Sequence, residues 1–265
     1  MKANRMAHWT DAYYGELYFD SVADLLTPRL TGIEAGVISR LLGLDARARV
    51  LDLACGHGRH AWALACRADE VVGVDRSGDY LRRAASGSLP GPGGLVTRGA
   101  PLFVRADVRA LPFPTSSFDA AYSWYSSLFM FGDDENGAAL AELARVLRPG
   151  GRALVHHANP IALACAPEEA SRRTLPDGSL VEEVAVFDPA TGVERARRLL
   201  RHPGGAVLEG TAELRYYTPG EWSRLASGAG LQLVAVTSTS DAGRDPPPEL
   251  GPKAPDLIAL VEKAT

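Results

Sequence analysis

The residues best suited to chemistry are three carboxylates and a glycine turn set at the ends of successive apolar runs. The turn lies in residues 50–65, V-L-D-L-A-C-G-H-G-R-H-A-W-A-L-A. Val50, Leu51 and Leu53 read as a buried strand, and Ala61, Trp62, Leu64 and Ala65 as the opening of a helix. Between them Gly56 and Gly58 form a turn where backbone must come close to something. Free N–H groups and the helix dipole converge at such a junction, so it suits a cofactor. Asp52 lies inside this strand. Asp75 ends the next apolar run, Val71-Val72-Gly73-Val74, and could accept hydrogen bonds from two ribose hydroxyls. Asp107 follows Leu102-Phe103-Val104-Arg105-Ala106 and is placed to meet an adenine amino group.

Gly56-His57-Gly58-Arg59-His60-Ala61 also satisfies the G-x-G-x-x-A dinucleotide fingerprint. Asp52 argues against a dinucleotide, because a carboxylate there would repel a pyrophosphate and suit a cationic ligand. Leu147-Arg148-Pro149-Gly150-Gly151 adds a further turn before another apolar run. The ordered set resembles the class I S-adenosylmethionine-dependent methyltransferases, most fully over residues 47–160. That resemblance implies an α/β fold: a Rossmann-like, seven-stranded, mostly parallel sheet with helices on both faces. It implies S-adenosyl-L-methionine as cofactor and S-adenosyl-L-homocysteine as product. Asp52, Ala54, Gly56 and Gly58 would then contact the methionine part, and Asp75 the ribose. Arg76 would flank the adenine ring, and Asp107 with Val108 would bind it. Ser123 and Trp124 would lie near the methionine and the acceptor. His57 departs from the small residue that many relatives carry there.

Methyl transfer from a sulfonium needs in-line attack by a nucleophile held near the methyl group, so proximity and orientation can carry it. A base helps where the nucleophile carries a proton. His156 and His157, at the end of a strand over residues 153–157, are candidates, and period-two alternation turns only one of them to the site. Tyr14 is a third. An aromatic N-terminal segment and the stretch 124–131 after the fourth strand offer Tyr13, Tyr18, Trp124, Tyr125 and Phe129 as a wall for an apolar or aromatic substrate. Most of these aromatics also suit plain core packing. No Ser or Cys triad with persuasive spacing is present. Cys55, His57 and His60 have metal-like spacing, but the glycine turn explains their positions, and no metal is expected.

The elements that must position these residues alternate strand and helix, the pattern of a parallel sheet with crossovers. Residues 1–45 read as an N-terminal helical lid, 46–160 as the cofactor-binding core and 218–265 as the end of the core sheet, within one domain spanning 1–265. Residues 175–217 read as an antiparallel β insertion of three strands, able either to cap the substrate or to build a homodimer interface. Residues 86–101 and 241–255, rich in Gly and Pro, read as loops. A formal net charge of −4 gives no global reason to bind nucleic acid, and no apolar stretch has the length to cross a membrane. Three cysteines and the lack of a secretory leader point to a cytoplasmic setting. The expected function is transfer of a methyl group to an O or N atom of a small molecule, in specialised metabolism. Its competitors are a protein that binds S-adenosylmethionine without methyl transfer, an RNA methyltransferase and an NAD-dependent dehydrogenase.

Overall fold

A computed structural model describes residues 9–87, 99–242, 244 and 250–265. The N-terminal part holds α1 (Trp9–Tyr13), α2 (Glu16–Val22) and α3 (Pro28–Leu42). Helix α3 begins earlier than its apolar face alone suggests. Thr27 caps it by accepting from the Leu30 N–H, and Pro28 fills the first turn, where no N–H is needed. Gly43 ends it in the left-handed conformation, at φ 62°.

The core follows as β1 (Arg49–Leu53), α4 (Arg59–Leu64), β2 (Glu70–Asp75), α5 (Gly78–Ser86), β3 (Leu102–Arg105), β4 (Phe118–Ser123), α6 (Asp133–Val146) and β5 (Leu147–Ala158). After α7 (Pro160–Cys165) come β6 (Glu168–Thr174), β7 (Leu180–Asp188), β8 (Val193–Arg201) and β9 (Val207–Arg215). The chain closes with α8 (Pro219–Gly228), β10 (Leu231–Thr237) and β11 (Asp256–Lys263).

Seven strands form one sheet in the order β3-β2-β1-β4-β5-β11-β10, parallel from β3 to β5, with β11 and β10 antiparallel at the far edge. Both faces are covered, which is why β1, β2 and β4 read as near-continuous apolar runs. On one face Leu51, Leu53, Val72 and Ala121 pack with Leu140, Leu143 and Trp222. On the other, Val50, Val71 and Tyr122 pack with Ile38, Ala61 and Leu64. Strand order reverses between β1 and β4, and ligands bind at the carboxyl ends beside such a switch.

The second sheet is antiparallel, in the order β6-β7-β8-β9. It has four strands, one more than the sequence suggests, and it starts at Glu168, ahead of the expected boundary at 175. Strand β6 (E-E-A-S-R-R-T) is an exposed edge strand with no apolar alternation, so nothing in its pattern marks it. Tyr13 and Leu17 of the N-terminal helices pack on this sheet against Ala196, Leu200 and Ala212. Of the expected loops, residues 88–98, 243 and 245–249 lie outside the described residues, as do residues 1–8 of the expected lid.

Candidate active site

Two cavities lie over the carboxyl ends of the parallel strands. The first, of about 330 Å³, is lined by residues that follow β1, β2, β3 and β4, and by Thr10, Tyr14, Gly15, Tyr18 and Phe19 from the N-terminal segment. The turn after β1 shapes it. Ala54, Gly56 and Gly58 all have positive φ (56°, 55° and 75°), which folds the backbone back sharply before α4. A Cβ on Gly58 would come within 2.7 Å of the Phe103 ring and 2.9 Å of the Ala84 methyl, so only glycine lets β3 and α5 pack there. A Cβ on Gly56 would meet nothing, so that position is open.

Asp75 faces the turn. Its Oδ2 accepts from the Gly56 N–H at 2.9 Å and its Oδ1 from the Ser77 N–H at 2.8 Å. Each oxygen keeps a lone pair for a ligand. Burial raises its pKa, and the two backbone donors act against that rise. Asp107 is held from one side by Arg109, whose Nε and Nη2 donate at 2.9 and 2.6 Å, so its pKa falls to about 2. Arg76 reaches the other way and donates to Thr10 at 2.7 Å, tying α1 to the loop after β2.

The second cavity, of about 530 Å³, lies between α3, the ends of β4 and β5, the start of β11 and the antiparallel sheet. The two cavities share Tyr14, Tyr18, Trp124 and Tyr125. Tyr125 and Ser126 both have positive φ, 58° and 59°, a conformation that L side chains adopt only when held. His156 holds them. Its Nδ1 accepts from the Tyr125 N–H at 3.1 Å, its carbonyl accepts from the Ser126 N–H at 2.9 Å, and its ring stacks on Trp124. With Nδ1 accepting, the proton sits on Nε2, which donates to Asp256 at 3.2 Å. Both nitrogens of His156 are therefore engaged.

Ala54, Gly56, Asp75, Arg76, Asp107, Val108, Tyr14, Tyr18, Trp124 and Tyr125 line the first cavity, and Tyr13 and His156 line the second. The structure does not bring Asp52, Gly58, Ser123, Phe129 or His157 to either cavity wall. Phe129 packs against Tyr217 and Trp222 in the core. The Ser123 side chain is fully buried. His157 is stacked between Tyr216 and Trp222, its Nε2 accepts from the Trp222 indole at 2.8 Å, and its Nδ1 donates to the Ala158 carbonyl. Burial lowers its pKa to about 4, and no ring nitrogen is free to take a proton. The sequence reading passed over Glu34, whose carboxylate binds Arg59, His60 and the Tyr125 hydroxyl. A carboxylate on the apolar face of α3 was its only signal. Asp256 was also passed over, because it reaches the site from far along the chain.

Residues 50–151 match the sequence model of a methyltransferase domain. An O-methyltransferase of Penicillium expansum is 28% identical over 97% of this chain and 90% of its own length. Among solved structures, the CcbJ methyltransferase of Streptomyces caelestis superposes with a TM-score of 0.76 at 23% identity, covering 96% of this chain and 99% of that one. The S-adenosylmethionine-bound amino pentose methyltransferase CalS10 of Micromonospora echinaspora gives 0.60 at 20% identity, with both chains covered in full.

The chain carries a methyltransferase domain of the class I S-adenosylmethionine-dependent kind. Its cofactor is S-adenosylmethionine, and the first cavity of the methyltransferase has the features that such a ligand needs. It has an open Gly56 backbone, an Asp75 carboxylate with lone pairs to spare, and aromatic walls. Behind it Asp52 is buried, and burial lifts its pKa to about 7 although the Tyr122 hydroxyl beside it acts against the rise. A positive charge in front of the strand would offset that cost. Among the described residues of the methyltransferase there is no His, Cys, Asp and Glu cluster able to hold a metal, and no helix is long and apolar enough to cross a membrane.

Proposed function

We propose that the protein methylates an O or N atom of a small-molecule acceptor of specialised metabolism, with the cofactor in the first cavity and the acceptor in the second. The observation that carries this reading is the junction of the two cavities at Tyr14, Tyr18, Trp124 and Tyr125. A ligand on each side would meet across these four rings.

In this reading Asp75 accepts from the two ribose hydroxyls, Asp107 and Val108 hold the adenine, and Arg76 flanks it. Ala54 and Gly56 pass beneath the methionine portion, and Asp52 contributes negative potential from behind. Bound S-adenosylmethionine supplies an electrophilic methyl group on a sulfonium. The chain's own residues then bind, orient and exclude water. Tyr14 lines both cavities, and burial keeps its phenol well above the usual pKa, so near neutral pH it donates a hydrogen bond and stays protonated. His156 positions Tyr125 and Trp124. Rate enhancement rests on orientation at the junction.

The test is incubation with methyl-labelled S-adenosylmethionine and a panel of hydroxyl- and amine-bearing natural-product scaffolds, reading label transfer by mass spectrometry. Labelled product from one scaffold class supports the reading. Binding of the cofactor without transfer to any scaffold would turn it toward a non-transferring role.

A further inference from the structure

The lining of the second cavity has a charge imbalance. Strand β8 turns Glu194, Ala196 and Arg198 to it, and β9 contributes Ala212, opposite Ala196, and Leu214, opposite Glu194. The two alanines leave a hollow between the longer side chains. The Arg198 guanidinium is matched by Glu183, to whose Oε2 its Nε and Nη2 donate at 3.2 and 2.7 Å, and it lies over the rings of Tyr13 and Tyr18. Arg198 is only 8% exposed, and its Nη1 has no partner among the described residues, so an oxygen of a ligand could meet it. Glu34 is matched in the same way by Arg59.

Glu194 is not matched. Among the described residues it has no cationic partner and accepts one hydrogen bond, from the Tyr216 hydroxyl at 2.8 Å. Burial and the nearby Glu183 and Glu169 raise its pKa, a cost that a bound cation would relieve. The same cavity is lined by Tyr13, Tyr14, Tyr18, Trp124, Tyr125 and Tyr216, whose ring faces favour cations over anions. A phenolate or carboxylate acceptor would be repelled here, and a neutral hydroxyl would gain nothing from an unmatched carboxylate.

Building on the methyl-transfer reading, we propose that the second cavity takes an aliphatic amine as methyl acceptor, its nitrogen held by the Glu194 carboxylate and the tyrosine rings. The amine enters as an ammonium ion and releases one proton to water. Its lone pair then forms the new N–C bond while the C–S bond breaks with its electron pair going to sulfur. Positive charge passes from sulfur to nitrogen, and the methylated ammonium carries it beside Glu194. The cavity thus favours the side on which charge develops.

The experiment is a calorimetric titration of the protein loaded with S-adenosylhomocysteine, using choline and its neutral isostere 3,3-dimethylbutanol. Choline is expected to bind at least about tenfold more tightly than the isostere. Glu194→Gln is expected to remove that preference while leaving binding of the isostere and of S-adenosylhomocysteine unchanged. Equal affinity for the two probes, no choline binding, or full choline affinity in Glu194→Gln would overturn the proposal. The comparison in the unmutated protein decides even if the variant folds poorly. Failure of S-adenosylhomocysteine to bind in the preceding step would count against the methyl-transfer reading instead.

Discussion

The Tyr125 hydroxyl donates to Glu34 at 2.5 Å, joining the strained turn after β4 to helix α3 across the seam where the two cavities meet. Glu34 also binds Arg59 and His60, and it is almost fully buried with them. These contacts hold its pKa down at about 2 against the burial that would raise it. Removing the charge leaves the Arg59 guanidinium buried without its counter-ion. Glu34→Gln is therefore expected to lower stability by about 3 kcal/mol, the scale for breaking a buried pair. Urea unfolding measures it, and a loss below about 1 kcal/mol would show the pair to be solvated.

The two turn glycines should separate stability from binding. Gly58→Ala puts a methyl into Phe103 and Ala84 at a left-handed position, and is expected to cost about 2–4 kcal/mol of stability. Gly56→Ala meets open space, so about 1 kcal/mol of backbone strain is expected, together with a marked loss of cofactor affinity. Thermal unfolding and a binding titration on the pair check this. Equal stability losses would contradict the assigned packing.

Asp75→Ala is expected to weaken S-adenosylhomocysteine binding by about 100-fold, the equivalent of two hydrogen bonds to a charged acceptor. The circular dichroism spectrum should be unchanged. Unaltered affinity would remove Asp75 from the cofactor site.

Stability should fall with acidification. His57, His60 and His157 have pKa values lowered by burial to about 3, 4 and 4. An unfolded histidine titrates near 6.5. Their contribution is fully present above about pH 6.5 and is lost as pH falls toward 4, because the unfolded chain takes up the protons first. Asp52, raised to about 7, works the other way over the same range, since there the folded chain binds its proton and the unfolded chain does not. The net slope stays positive. His157→Gln is expected to flatten it by about 1.4 kcal/mol per pH unit near pH 5, one proton's share. It should leave methyl transfer within a few-fold. Urea midpoints against pH, with one activity assay, test both statements.

Local patterns made most of the core legible. The apolar runs of β1, β2 and β4, the glycine turn and the carboxylates at the strand ends are all features of short range, and they sit in the sheet order that the family resemblance implies. Period-two alternation separated His156 from His157 but could not say which faces the site, because both sides of β5 are covered. Strand β6 escaped notice because an exposed edge strand needs no apolar period. The second cavity was illegible for another reason. Its parts come from α3, the turn after β4, β8 and the start of β11, so that Tyr125 meets Glu34 and His156 meets Asp256 only once the sheet is assembled. Phe129 looked like a ligand wall from its neighbours in sequence, and packs instead with Tyr217 and Trp222 from the other end of the chain.

The most direct measurement of the central claim is a calorimetric titration of the unmutated protein with S-adenosylhomocysteine, with NADH as control. The account predicts saturable one-site binding of S-adenosylhomocysteine and no heat from NADH. Binding of NADH with none of S-adenosylhomocysteine would contradict it, and would return the glycine turn to the dinucleotide-binding proteins.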